Sequence, residues 1–287
     1  MILVSNVRKI KKISESIPTL EGAGVRLKRV FGFHGIKELD PFLLLDDFHS
    51  DNPEDYIAGF PWHPHRGIET ITYMIHGEVK HEDSLGNKGT IKAGDVQWMT
   101  AGSGIIHQEM PVRQDGILAG LQLWANLPKS HKMMHPRYRE VLSQDIPEIV
   151  IDKKTKVRII AGEINGTKGP VQDIVIDPEY LDVSMESNTE FTHLVKEGHT
   201  VFAFIMLGSA YFDADQESLV NSEHLVLFED GDSVKIQTEE ENARFILVSG
   251  KPIGEPIAWR GPIVMNTNLE LRIAFEEYQK GTFIKHK

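Results

Sequence analysis

Gly67-Ile-Glu-Thr-Ile-Thr-Tyr-Met-Ile-His-Gly77 is a β-branched and aromatic run closed by glycine at both ends, and it has an echo. The echo is Gly198-His-Thr-Val-Phe-Ala-Phe-Ile-Met-Leu-Gly208, of the same length and with the same glycine brackets. A Gly-Asp pair follows each, Gly94-Asp95 and Gly231-Asp232. Around the first run, Glu78 to Asp83 reads as a strand and Ser84-Leu85-Gly86-Asn87 as a hairpin loop. Ala93-Gly94-Asp95 then makes a turn before Val96-Gln97-Trp98-Met99 resumes extended structure. Strands this close together, with glycine-rich turns and no helical crossovers, indicate an antiparallel sandwich or barrel. Recurrence of the pattern indicates a duplicated unit. The expectation is an all-β protein of two tandem antiparallel β-barrels, residues 1–135 and 136–287. Their join lies in the stretch 127–147, where Pro, Lys, Ser, His and Arg break the strand pattern. A short helix closes the chain. Thr267 and Glu270 form a capping box, Leu269 with Ile273 and Leu271 with Phe275 give helical spacing, and Gly281 suits the C-terminal cap.

The composition bounds the function. With 287 residues, 40% hydrophobic and 25% charged, the chain has material for sizeable cores. No stretch is long and apolar enough to predict a membrane-spanning helix, and nothing at the start reads as an export signal. A net charge of −11 argues against an electrostatic grip on nucleic acid. Without cysteine, any metal must take imidazole and carboxylate ligands. A cytoplasmic location is expected. The one basic run, Arg8, Lys9, Lys11 and Lys12, reads as the solvated face of an N-terminal strand.

Among 13 histidines, His63-Pro64-His65 stands out. Residues two apart on a strand project from one face, so both imidazoles can enter one barrel. Forty-two positions after His65, His107-Gln108-Glu109 repeats the spacing with an imidazole and a carboxylate. Two antiparallel strands carrying these pairs could bring three nitrogens and one oxygen onto a single cation. Such donors suit Fe(II), Mn, Ni, Cu or Zn better than calcium. Glu69 is a rival carboxylate, four residues after His65 and of matching strand parity. His76 and His81 read as turn or hairpin positions.

The runs Phe60-Pro-Trp-His63-Pro-His65-Arg-Gly-Ile-Glu-Thr and Gly94-Asp-Val-Gln-Trp-Met-Thr-Ala-Gly-Ser-Gly-Ile-Ile-His107-Gln-Glu109-Met-Pro resemble the pirin branch of the cupin superfamily. Leu43-Leu-Leu-Asp-Asp-Phe48, Leu121-Gln-Leu-Trp-Ala-Asn-Leu-Pro128 and Gly261-Pro-Ile-Val-Met-Asn-Thr267 are similar to pirin segments as well. The resemblance implies a bicupin, with iron in the N-terminal barrel held by His63, His65, His107 and Glu109. It favours Glu109 over Glu69, because the pirin pattern takes its acid from the second motif. In the second half, the matching positions are Leu194, Lys196, Arg244 and Ile246, which cannot hold a metal. Met185, Phe191, Phe202, Phe204 and Met206 read there as core.

Two functions follow from the resemblance. One is a quercetin 2,3-dioxygenase-type enzyme, acting on a flavonol-like substrate with dioxygen, with Glu109 as catalytic base and Trp62, Trp98 and Met99 as candidate pocket walls. The other is a non-enzymatic, iron-dependent regulator that binds transcription factors or metabolic enzymes, with Arg66, Lys88, Lys92 and Arg113 as a candidate surface. A monomer is expected in either case.

Overall fold

The computed structural model describes residues 6–34, 36–114 and 116–286. The chain forms two compact units assembled from interleaved segments. One contains Ile17–Ile36, Phe42–Ser143 and the segment from Ile253 onward; the other contains the N-terminal segment ending at Ser16, Lys37–Pro41 and Gln144–Pro252. The long passage from one to the other, Ser143 to Gln144, falls within the stretch 127–147. The division is nevertheless not a single cut at 135/136, since each unit borrows a terminal segment from the far end of the chain.

In the first unit, a seven-stranded antiparallel sheet has Ile68–His76 near its middle, between Val96–Thr100 and Leu118–Asn126. A four-stranded sheet consists of Phe60–His65, Ile105–Pro111, Glu78–Asp83 and Lys88–Lys92. Their inner faces share a core: Val25, Leu27, Phe48, Met74 and Leu118 come from the larger sheet, Val79 and Ile91 from the smaller. This is the packing expected of alternating strands with one buried face each. The hairpin Ala258–Arg260 with Ile263–Met265 and the helix Asn268–Gln279 complete the unit.

The second unit is built on strands Thr200–Tyr211, Ala243–Gly250, Glu179–Met185 and Thr155–Ala161, with Ile10–Glu15 paired to His224–Phe228 at one side. Its core holds Met185, Phe191, Val201, Ala203 and Ile205. Phe202 and Phe204 are also buried, at the alternate positions of their strand, while Met206 is half-buried. Of the positions matched to the histidine motifs, Leu194 is exposed, Ile246 is buried, and Arg244 makes a two-pronged bond to Asp182 at 3.0 and 2.7 Å. Arg8 is not on a solvated face: it is buried, and its guanidinium donates to the carbonyls of His199, Glu229 and Lys196.

The bracketing glycines have a physical reason. Gly67, Gly77, Gly198 and Gly208 all have positive φ, between 71° and 85°. At Gly67 and Gly208 a Cβ would also run into the carbonyls of Val264 and Asn242 respectively. The C-terminal helix has the expected cap, with Thr267 and Glu270 satisfying each other's backbone N–H groups. Only one of its two apolar rows is buried: Leu271 and Ala274 face inward, while Leu269 and Ile273 are exposed. Among the described residues no helix is long and apolar enough to cross a membrane.

Arg66 anchors this unit. It is buried, and it donates to the Ser103 carbonyl (2.7 Å), Glu277 (2.7 Å) and the Phe283 carbonyl (2.8 Å). Its guanidinium also lies over the Phe283 ring at 4.2 Å. It therefore belongs to no basic surface patch, and the stretch containing the second histidine motif is tied through it to the last helix. Replacing Arg66 with Met should leave two buried carbonyls without their donor and Glu277 with Lys285 as its remaining partner. An expected loss of about 3 kcal/mol would be read as a lower urea midpoint with an unchanged slope.

Candidate metal centre

The register of the four-stranded sheet brings the histidines together. His107 lies directly opposite His63, and Ile105 opposite His65. A bulge in the outer strand, where Pro61 and Trp62 oppose Gln108 alone, then sets Glu109 opposite Phe60. On the other flank of the same central strand, His107 faces Asp83 and Glu109 faces His81. All six polar side chains therefore leave one face of one sheet, and that face looks into the barrel.

His63 and His65 approach with their Nε2 atoms 3.0 Å apart. His63 Nδ1 is 2.9 Å from the Pro61 carbonyl, and His65 Nδ1 is 3.1 Å from the Pro262 carbonyl. A carbonyl only accepts, so each Nδ1 is the protonated nitrogen and each Nε2 presents a lone pair. Two lone pairs at this distance repel unless something positive lies between them. A proton is disfavoured, since burial and the neighbouring His63 push His65 well below the usual imidazole value. A metal ion resolves the conflict. His107 adds a third nitrogen, with ring centroids 4.3 Å from His63 and 4.9 Å from His65. Both of its nitrogens are buried and unpartnered, and burial with the imidazoles of His65, His63 and His81 keeps it neutral. The ligand atoms of the three lie within 4.8 Å of one another, the only such group among the described residues. The donor set fits a divalent cation of the transition series.

Glu109 stands beside this trio and outside its 4.8 Å circle. It is buried, and its Oε1 is 3.1 Å from the Thr72 hydroxyl, which is also 2.7 Å from Gln122 Oε1. Glu69 points the other way. Thr72 faces the cavity, so Glu69, three residues earlier on the strand, projects from the opposite side and bonds Thr100 at 2.6 Å. Counting parity from His65 fails because the chain turns at Arg66-Gly67, where Gly67 has φ +79°. Burial raises the Glu69 carboxyl in that enclosed position.

A cavity of about 600 Å³ opens on His63, His65 and Glu109. Its apolar wall includes Leu44, Phe48, Phe60, Trp124, Trp259 and Phe33. Phe33, Trp259 and Trp124 form a stepped aromatic series ending on His65, with centroid separations of 5.5, 6.1 and 5.0 Å. Arg29, paired with Asp46 at 2.8 Å through both Nε and its terminal nitrogen, adds a polar strip. The expected walls are elsewhere: Trp98 and Met99 are buried in packing, Trp62 is about half exposed, and none lines the cavity. The signal for Trp124 was present in its own segment, since Gln122 and Trp124 alternate with the buried Leu121 and Leu123. Trp259 lies on a hairpin too short to show a pattern.

Fold and site together define a double cupin with a histidine-lined barrel. Residues 24–125 match Pirin and residues 180–284 match the Pirin C-terminal cupin domain. A pirin-like protein of Caulobacter vibrioides is 40% identical over 278 residues, covering 96% of this chain and 99% of its own. Human Pirin is 38% identical over 277 residues, covering 94% and 93%. A crystal structure described as quercetin 2,3-dioxygenase from Acinetobacter baumannii superposes with a TM-score of 0.90 at 32% identity, covering 96% of this chain and 98% of that one. The chain belongs to the pirin family.

A cation that binds only the folded site stabilises it by mass action. At a free concentration a hundred times its Kd, cobalt or nickel is expected to add about 2.7 kcal/mol to the unfolding free energy. His107→Ala should remove that increment while leaving the metal-free midpoint within a few degrees, as followed by thermal denaturation with and without chelator.

Proposed function

We propose that the protein is a metal-dependent dioxygenase of the quercetin 2,3-dioxygenase type, holding one iron through His63, His65, His107 and Glu109. The observation that carries this reading is the pair of opposed Nε2 lone pairs on the wall of an aromatic-lined cavity. Structural similarity to a protein described as quercetin 2,3-dioxygenase supports the choice of chemistry. Iron, when bound, would supply a Lewis acid for a substrate oxygen and a redox partner for dioxygen.

The chain's own residues supply the rest. Trp124 and Trp259 offer flat apolar surface to an aromatic ring system such as a flavonol, and Leu44, Phe48 and Phe60 exclude water from it. Glu109, whose Oε1 is beside Thr72, would serve as the base for a substrate hydroxyl by releasing its other oxygen from the ion. The net reaction inserts both atoms of dioxygen, opens the central ring and releases one carbon as carbon monoxide. A cytoplasmic monomer is part of the same proposal.

Iron-loaded protein given quercetin under oxygen should consume the flavonol and release one carbon monoxide per turnover. Glu109→Gln should lower kcat by about 10²- to 10⁴-fold. The His63→Ala, His107→Ala double variant should retain essentially no iron. Full iron occupancy with no flavonol loss would replace this reading with the regulatory one, in which the site's metal conditions a surface for a protein partner.

A further inference from the structure

His81 is completely buried next to the histidine trio, and neither of its ring nitrogens has a hydrogen-bond partner. Its ring is stacked on Tyr138 at 5.0 Å and meets the His107 ring at 5.3 Å between centroids. Tyr138 is itself tethered, its hydroxyl 3.4 Å from Gln97 Nε2. On its own strand, His81 Nε2 faces Asp83 Oδ2 at 3.5 Å. Asp83 is fixed by the hairpin loop, accepting from the backbone N–H groups of Leu85 (2.9 Å) and Asn87 (3.0 Å) and from the Asn87 side chain (2.8 Å). Buried imidazole nitrogens without partners are destabilising, so two adjacent bare rings call for an explanation.

The three histidines of the trio are not equivalent. A histidine that gives one nitrogen to a metal keeps an N–H on the other, and that N–H is normally held by an acceptor which fixes the ring. For His63 the acceptor is the Pro61 carbonyl and for His65 the Pro262 carbonyl. His107 has no such carbonyl. The imidazole beside it is His81, whose Nε2 is turned to a carboxylate that can only accept. A proton on His81 Nε2 would point at that carboxylate and would leave Nδ1 with a lone pair.

We propose that His81 is the positioning residue for His107: its Nδ1 accepts the free ring N–H of His107, while its own Nε2–H is directed to Asp83. With a cation bound, His107 would give it one nitrogen and hold the N–H of the other against His81. The inference rests on the reading of His63, His65 and His107 as metal ligands, and goes beyond it in giving His81 and Asp83 a function.

Cobalt titration of the full chain tests this, with affinity measured by chelator competition and ligand geometry by the visible absorption of the bound ion. His81→Phe keeps a ring to stack on Tyr138 and removes the acceptor. It should weaken cobalt binding about 10- to 100-fold and shift the visible band. His81→Gln, which restores an acceptor and a donor, should recover most of the affinity. If His81→Phe does not fold, Asp83→Asn carries the test, with weakening of about tenfold expected. Either variant binding cobalt within twofold of the natural protein, with an unchanged spectrum, overturns the proposal and leaves the three-histidine site standing. A natural protein that takes up no cobalt overturns both.

Discussion

Everything chemical in this protein depends on the pairing register of one strand. Ile105–Pro111 sits between Phe60–His65 and Glu78–Asp83, and the side-chain period of two puts His107 and Glu109 on the inner face only in that register. A slip by one residue would turn Gln108 inward and send both ligand candidates out. The extra residue of the bulge belongs to the neighbouring strand, between Phe60 and His63, so Ile105–Pro111 keeps its regular alternation. His107 stays level with His63, and Glu109 reaches Thr72 and the cavity wall.

The repulsion between the two Nε2 atoms is the local counterpart of that register. It is imposed from outside the rings, by carbonyls at Pro61 and Pro262 that fix which nitrogen carries the proton. Proline suits position 64 as well, since a residue without an N–H costs little at the end of a sheet, where Phe60–His65 is the outermost strand. The barrel thus stores a site whose polarity is set before any ion arrives. Its aromatic walls then decide what else can share the space.

Much of this was legible in the sequence, because period-two spacing is a local property. The duplicated glycine-bracketed strands, the H-x-H and H-x-E pairs and the helix cap with Thr267 and Glu270 all appear as written. What could not be read depends on contacts between distant segments. Glu69 looked like a rival to Glu109 because parity was carried through Gly67, where the backbone turns. Arg66 looked like a surface cation, and its partners Glu277 and Phe283 lie more than 200 positions away. His81 looked like a hairpin residue, and only the sheet register brings its ring against His107. The pocket walls were sought beside the motifs, but Trp259 arrives on a late hairpin and Trp98 faces away from the cavity.

The bond between His65 and the Pro262 carbonyl spans 197 residues of chain. During synthesis on a ribosome, the histidine motifs emerge long before the hairpin that orients one of them. Until that hairpin docks, His65 is free to present either nitrogen, and the opposed lone pairs do not exist. The tautomer that turns His65 Nε2 towards His63 is therefore settled only when the last part of the polypeptide has been made.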